Sequence, residues 1–278
     1  MTWKKRMVHS DRGNFEIFEK GEGFPLAVTH IYSEFNETGD YFAEVFVKTH
    51  HVYIINLKDC GNSDKAKAPH EFSMLETILD LESIRRALGF TKWKFAGHST
   101  GGMLGVLYGI YFSDSLEKLL LVSAAAREYM TFSPDCIYNE SHPNFNKMQE
   151  LIERLKNNEL SAQKRSELSK ERTKLSLLKP EDYDQYFNRF IKKKMSVVRM
   201  NFFARELHTF DVTKKLPRIK TPTLIIGGTH DIQCPPLYSR EMAEWIPDSI
   251  LFLFNESNHY PHLEEPTEFN KVIVDYFD

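Results

Sequence analysis

Basic charge is not in excess in this chain: Lys and Arg total 36 against 39 acidic residues, a formal net charge of −3. Nucleic-acid binding leaves a footprint of clustered cations, and no stretch here provides one, so no nucleic-acid partner is expected. Long apolar runs are missing too. None approaches the roughly 18 residues of a membrane span, and the opening MTWKKRMVHS lacks the apolar stretch of a secretory signal. No membrane partner is expected. Cysteine is scarce: Cys60, Cys136 and Cys234 show no CxxC spacing, and their odd number leaves at least one unpaired. Reduced thiols in a cytoplasmic protein are the expected state. No His-Glu-x-x-His or similar ligand spacing occurs among the 11 scattered histidines, so neither a metal nor another cofactor is implied.

What the chain does have is an ordinary globular balance, 41% apolar and 27% charged over 278 residues. That suits one large domain, or one domain carrying an insertion. Two short runs, 4–9 and 14–19, flank Asp11-Arg12-Gly13 and read as a hairpin. Strand-length apolar runs then recur at 25–31, 51–57, 92–97, 116–123, 222–228 and 249–254. Helix-length segments separate most of them, at 39–48, 72–88, 101–112, 237–246 and 267–277. Leu119-Leu120-Leu121-Val122 and Leu224-Ile225-Ile226 are continuous apolar runs, as strands covered on both faces require. The alternation predicts an α/β protein with a mostly parallel sheet of eight strands and helices on both faces.

One interval breaks this rhythm. Between 128 and 208 no strand is evident, and Lys, Glu, Tyr and Phe abound. Met148, Leu151, Ile152 and Leu155 share one helical face, and Tyr183, Tyr186, Phe187 and Phe190 repeat the spacing with aromatics. Residue by residue these stripes read as packing. As a unit, 128–208 reads as a helical insertion, with 1–127 and 209–278 forming the core.

The stretch Gly97-His98-Ser99-Thr100-Gly101 lies between the run 92–97 and the helix-length segment from 101. G-x-S-x-G between strand and helix makes a sharp turn that lifts a serine hydroxyl above the sheet edge. Ser99 is therefore the candidate nucleophile. A serine hydroxyl reacts only when a positioned base takes its proton, and the acid and base should follow in the order Ser, Asp, His. Asp231 leaves the run 222–228, and His259 lies in the loop after 249–254. Both thus emerge at strand carboxyl ends, where open α/β sheets bind their ligands.

Three stretches together, Phe95-Ala96-Gly97-His98-Ser99-Thr100-Gly101-Gly102, Thr223 to Asp231, and Ser257-Asn258-His259-Tyr260-Pro261-His262-Leu263-Glu264-Glu265-Pro266, resemble the α/β-hydrolase superfamily, in its branch with a helical cap. The resemblance implies a Ser99–His259–Asp231 triad with His259, not His262, as base. It implies an oxyanion hole from the backbone N–H groups of Thr100 and Tyr32. Serine at the elbow separates the chain from relatives with aspartate there, the epoxide hydrolases and haloalkane dehalogenases. Two stretches depart from the family. Ile31 stands where the family has glycine after His30, and isoleucine resists a positive φ, which predicts a different path for that loop. The loop 56–64 keeps only Gly61, and its Cys60 reads as a packed thiol.

The implied chemistry is acyl transfer on a small-molecule substrate. An aromatic cap roof suits a small, largely apolar ester or related carbonyl compound. Glu181, Asp182 and Asp184 offer an alternative, capture of a substrate ammonium as an aminopeptidase needs. The chain resembles proline iminopeptidases in length and architecture, but their His-Gly-Gly-Pro-Gly stretch is replaced by His30-Ile31-Tyr32-Ser33-Glu34. Carboxylesterases and carbon–carbon bond hydrolases share the triad, and a ligand-binding protein on the same fold is the reading from another class.

Overall fold

The hairpin at the N-terminus, β1 (Lys4–Ser10) and β2 (Gly13–Lys20), turns at Asp11-Arg12 and pairs antiparallel from Lys4↔Glu19 to Ser10↔Gly13. This computed structural model describes residues 2–157, 159–188 and 190–277. After the hairpin come β3 (Phe24–Val28), β4 (Ser33–Glu34), β5 (His50–Ile55), α1 (Met74–Ala87), β6 (Trp93–His98), α2 (Thr100–Phe112) and β7 (Leu116–Val122). The interval that breaks the rhythm holds α3 (Phe145–Leu155), α4 (Ala162–Lys174), α5 (Tyr183–Tyr186), β8 (Lys194–Met195) and α6 (Val197–Leu207). The alternation resumes with β9 (Thr223–Gly228), α7 (Pro236–Trp245), β10 (Ser249–Phe254), α8 (Pro261–Glu264) and α9 (Pro266–Tyr276).

Eight strands form one sheet in the order β1-β2-β5-β3-β6-β7-β9-β10, antiparallel where β2 meets β1 and β5 and parallel elsewhere. The expected mostly parallel eight-stranded sheet is present. Alternating side chains feed two cores. Leu119 and Leu121 pack with Leu81 of α1, Leu104 of α2 and Met242 of α7, whereas Leu120 and Val122 pack with Phe46 and with Phe269 and Ile273 of α9. Helices thus cover both faces, which is why the central runs are apolar throughout. Among the described residues no helix is long and apolar enough to cross a membrane.

Two expectations are corrected. The segment 39–48 forms only a short 3-10 helix, Ala43–Phe46. Asp40 Oδ1 accepts from the amides of Phe42 and Ala43 (2.9 and 3.2 Å), a cap that fixes where this turn begins, and the chain leaves it for β5 at His50. The interval 128–208 also contains a strand, since β8 pairs antiparallel with β4 through Ser33↔Met195 and Glu34↔Lys194. With two residues and no apolar alternation, β8 had no pattern to read. At the base of the interval, Glu128 N donates to Phe210 O (2.7 Å) and Val212 N to Ala126 O (2.8 Å), so the entering and leaving chains are bonded together.

Candidate active site

β6 ends at His98 and α2 begins at Thr100, leaving Ser99 alone in the connection at φ 56° and ψ −123°. A non-glycine residue held there costs on the order of 1–3 kcal/mol, so its surroundings must enforce it. Ser99 N donates to Val122 O (2.9 Å) and Gly102 N to Ser99 O (2.9 Å). The turn closes so tightly that a Cβ on Gly97 would lie 2.2 Å from Gly101 O, and one on Gly101 2.3 Å from Thr29 O. Glycine at 97 and 101 is thus a packing requirement of the turn that presents Ser99.

Asp231 and His259 come together at the neighbouring strand ends. His259 Nδ1 lies 2.9 and 3.1 Å from the two carboxylate oxygens of Asp231, with both residues buried. A carboxylate only accepts, so Nδ1 carries the proton and, in the neutral ring, Nε2 is left with a free lone pair. Asp231 is itself fixed, because Oδ1 also accepts from the amides of Gln233 and Cys234, each at 2.9 Å. Ser99 and His259 line one cavity of about 400 Å3. Among the described residues no hydrogen bond joins the two side chains, a contact that in ligand-free sites commonly tightens only on binding.

The loop bearing His259 is held from three sides. His98 Nε2 donates to the His259 carbonyl (2.7 Å). Glu264 Oε1 accepts from the amides of Asn258 and Tyr260, each at 3.0 Å, while its Oε2 takes the amide of Leu178 (2.7 Å) from the interval after α4. His259 N donates to Ser176 O in that same interval (3.3 Å). His262 stands apart from this chemistry. Its ring packs edge-on against Phe42 and His98, its Nδ1 has no hydrogen-bond partner among the described residues, and burial pushes its pKa down to about 3. Burial likewise holds His98 and His30 well below the ordinary histidine value.

Thr100 begins α2, so its N–H is one of the four that a helix leaves without an internal partner. Its hydroxyl lies 3.0 Å from His30 Nε2, tying the elbow to the loop after β3. Tyr32 lines the cavity from that loop, its ring edge-on to His30 at 4.6 Å. The non-glycine residues with positive φ among the described residues are Asp59, Ser99 and Ser123, so Ile31 follows the loop without one. The Ile31 carbonyl accepts from Arg199 Nε. Arg199, on α6 and 1% exposed, also donates to Lys58 O (3.2 Å) and Thr77 Oγ1 (2.9 Å).

Two features of the aromatic interval differ from expectation. Tyr183 and Phe187 line the cavity, but Phe190 is 80% exposed. Glu181, Asp182 and Asp184 do not line it, and Asp184 pairs with Lys170 at 2.6 Å. Cys60, Cys136 and Cys234 are all buried and unbridged, and burial raises the Cys60 thiol to about 11. Among the described residues no group of His, Cys, Asp and Glu has a metal-binding arrangement. Four residues at or behind the site were not singled out by sequence: His98, Glu264, Arg199 and Arg172, the last also lining the cavity. His98 and Glu264 lie inside the quoted motifs and were within reach. The two arginines sit in the interval, where no local spacing points to them.

The family model described as alpha/beta hydrolase fold matches residues 26–266. An alpha/beta fold family hydrolase from Bacillus anthracis is 41% identical, superposes with a TM-score of 0.96, and covers 100% of each chain. A proline iminopeptidase from Chitinophaga pinensis is 24% identical across 98% of this chain and 92% of its own length. An esterase from Exiguobacterium antarcticum shares 23% identity and a TM-score of 0.74 over 98% of this chain and 99% of its own. With its strand order, its elbow at Ser99 and these matches, the chain belongs to the α/β-hydrolase fold family.

Proposed function

We propose that the protein is a serine hydrolase that transfers the acyl group of a small ester or related carbonyl compound to water. Ser99 Oγ attacks the carbonyl carbon as His259 Nε2 takes its proton, and His259 returns that proton to the leaving group. Water then repeats the sequence on the acyl-enzyme. Asp231 keeps the imidazole in the productive tautomer. The N–H groups of Thr100 and Tyr32 receive the developing oxyanion. Residues 128–208 act as a cap on the core formed by 1–127 and 209–278, and the buried, unbridged thiols suit a cytoplasmic setting.

The observation that carries this reading is the Asp231–His259 pair, which leaves Nε2 unprotonated at a cavity that Ser99 also lines. The aminopeptidase alternative needs an acid free to meet a substrate ammonium. Asp40 is the carboxylate lining the cavity among the described residues, and it is engaged by two amides and by Lys193 at 3.9 Å. The test compares kcat/KM for p-nitrophenyl butyrate and prolyl-p-nitroanilide. The ester should lead by well over tenfold. A prolyl value within about tenfold, only ~1.4 kcal/mol apart in transition-state terms, would favour the aminopeptidase. Absence of turnover across esters, amides and lactones would favour a binding protein.

A further inference from the structure

Arg172, in the last turn of α4, lines the same cavity as Ser99 and His259 and is partly buried. The groups acting favourably on its charge are the phenols of Tyr138, Tyr260 and Tyr32, Tyr138 also by a hydrogen bond, and none of them is a carboxylate. Its neighbours on the helix differ. Lys164 pairs with Glu167 at 3.0 Å and Lys170 with Asp184 at 2.6 Å. Among the described residues no carboxylate pairs with Arg172. A guanidinium stays ionised in any protein setting, and withdrawing it from water without a counter-charge is costly. Arg172 is therefore a cation with phenol neighbours but, among the described residues, no counter-charge, and it is open to an anion in the cavity.

The charge of the lining fixes what that partner is. Besides Arg172, the charged side chains among the described lining residues are Lys193 and Asp40, which lie 3.9 Å apart and offset one another. His30, His98 and His262 are held neutral by burial. Among the described residues one uncompensated positive charge remains, matched to a monoanion, whereas a phosphate dianion would leave a charge unmet. A planar guanidinium fork takes a carboxylate in a bidentate pair, and the surrounding tyrosine hydroxyls can donate to the same oxygens.

We infer that the substrate carries a carboxylate, bound by Arg172 in the cavity that Ser99 and His259 also line. This rests on the serine-hydrolase reading. It narrows the largely apolar ester expected from sequence to one with an apolar body and an anionic end. Tyr183 and Phe187 line the same cavity and can flank the apolar body, while the cation receives the anionic end.

The test measures kcat/KM for the mono-p-nitrophenyl esters of adipic and suberic acids against p-nitrophenyl hexanoate and octanoate, which exchange a terminal carboxylate for a methyl. The wild type should prefer the carboxylate ester of at least one length by about tenfold or more, chiefly through KM. Arg172→Gln should abolish that preference, and Arg172→Lys should restore part of it. Equal rates for both ester types, or a preference that survives Arg172→Gln, would overturn the inference while leaving the serine-hydrolase reading intact. Binding is scored separately on Ser99→Ala by calorimetry with monomethyl adipate and monomethyl suberate. Saturable binding that Arg172→Gln weakens at least about tenfold supports the carboxylate site even if no ester is turned over. No binding of either monoester to Ser99→Ala, or binding indifferent to Arg172→Gln, contradicts it.

Discussion

Arg199 Nε donates to the carbonyl of Ile31, and that carbonyl shares its peptide plane with the N–H of Tyr32. A trans peptide points its C=O and N–H in opposite directions, so fixing one end aims the other. The cation also polarises the amide, which strengthens the N–H as a donor. A residue 168 positions away in sequence thereby sets the direction of the proposed second oxyanion donor. Arg199→Met should lower kcat by about tenfold to a hundredfold with little change in KM, because the loss falls on the transition state. It should also cost a few kcal/mol of stability, since three buried acceptors lose their donor. Unchanged kcat at a temperature where the variant is folded would show that Arg199 serves the fold alone.

Asp231→Asn should fold and melt near the wild-type temperature yet lose about 10⁴ in kcat. The geometry supplies the reason. Oδ1 accepts two amides, so the asparagine oxygen stays there and its NH₂ replaces Oδ2 opposite His259. That NH₂ donates to Nδ1 and forces the ring proton onto Nε2, where it blocks proton transfer from serine. Near-normal turnover would place the acid elsewhere.

His262 gives the stability profile a signature in pH. Its folded pKa is near 3 against roughly 6.5 in the unfolded chain. Above pH 6.5 neither state holds the proton. As pH falls below that value, the unfolded chain binds a proton that the folded one refuses, so stability is lost at up to about 1.4 kcal/mol per pH unit. His30 and His98 act in the same direction. His262→Phe, in a site already lined by Phe42 and Phe269, should flatten the slope between pH 5.5 and 4.5 by about one proton. Denaturant melts across that range read it, and identical slopes would mean that His262 titrates freely.

The features legible in sequence are those whose physics is local. Leu119 to Val122 had to be apolar at every position because helices cover both faces of β7. Gly97 and Gly101 had to be glycine because neighbouring backbone lies where a side chain would begin. Asp231 and His259 were found because strand ends and chain order constrain them, and the structure brings them within hydrogen-bonding distance. Arg199 and Arg172 were invisible because their contacts lie far along the chain, with no periodicity to mark them. Glu181, Asp182 and Asp184 misled for the converse reason: their charge was evident, but whether they line the cavity depends on tertiary packing. The segment 39–48 was overestimated because its amphipathic spacing does not show that the chain must turn at once into β5 at His50.

The central claim is that Ser99 is the nucleophile, and covalent trapping tests it most directly. A fluorophosphonate probe should modify wild-type protein once, with the adduct mapped to Ser99 by peptide mass spectrometry. Ser99→Ala should remain unlabelled, and His259→Ala should label far more slowly because no base takes the serine proton. Labelling of Ser99→Ala at the wild-type rate, or an adduct on any other residue of the wild type, would contradict the account.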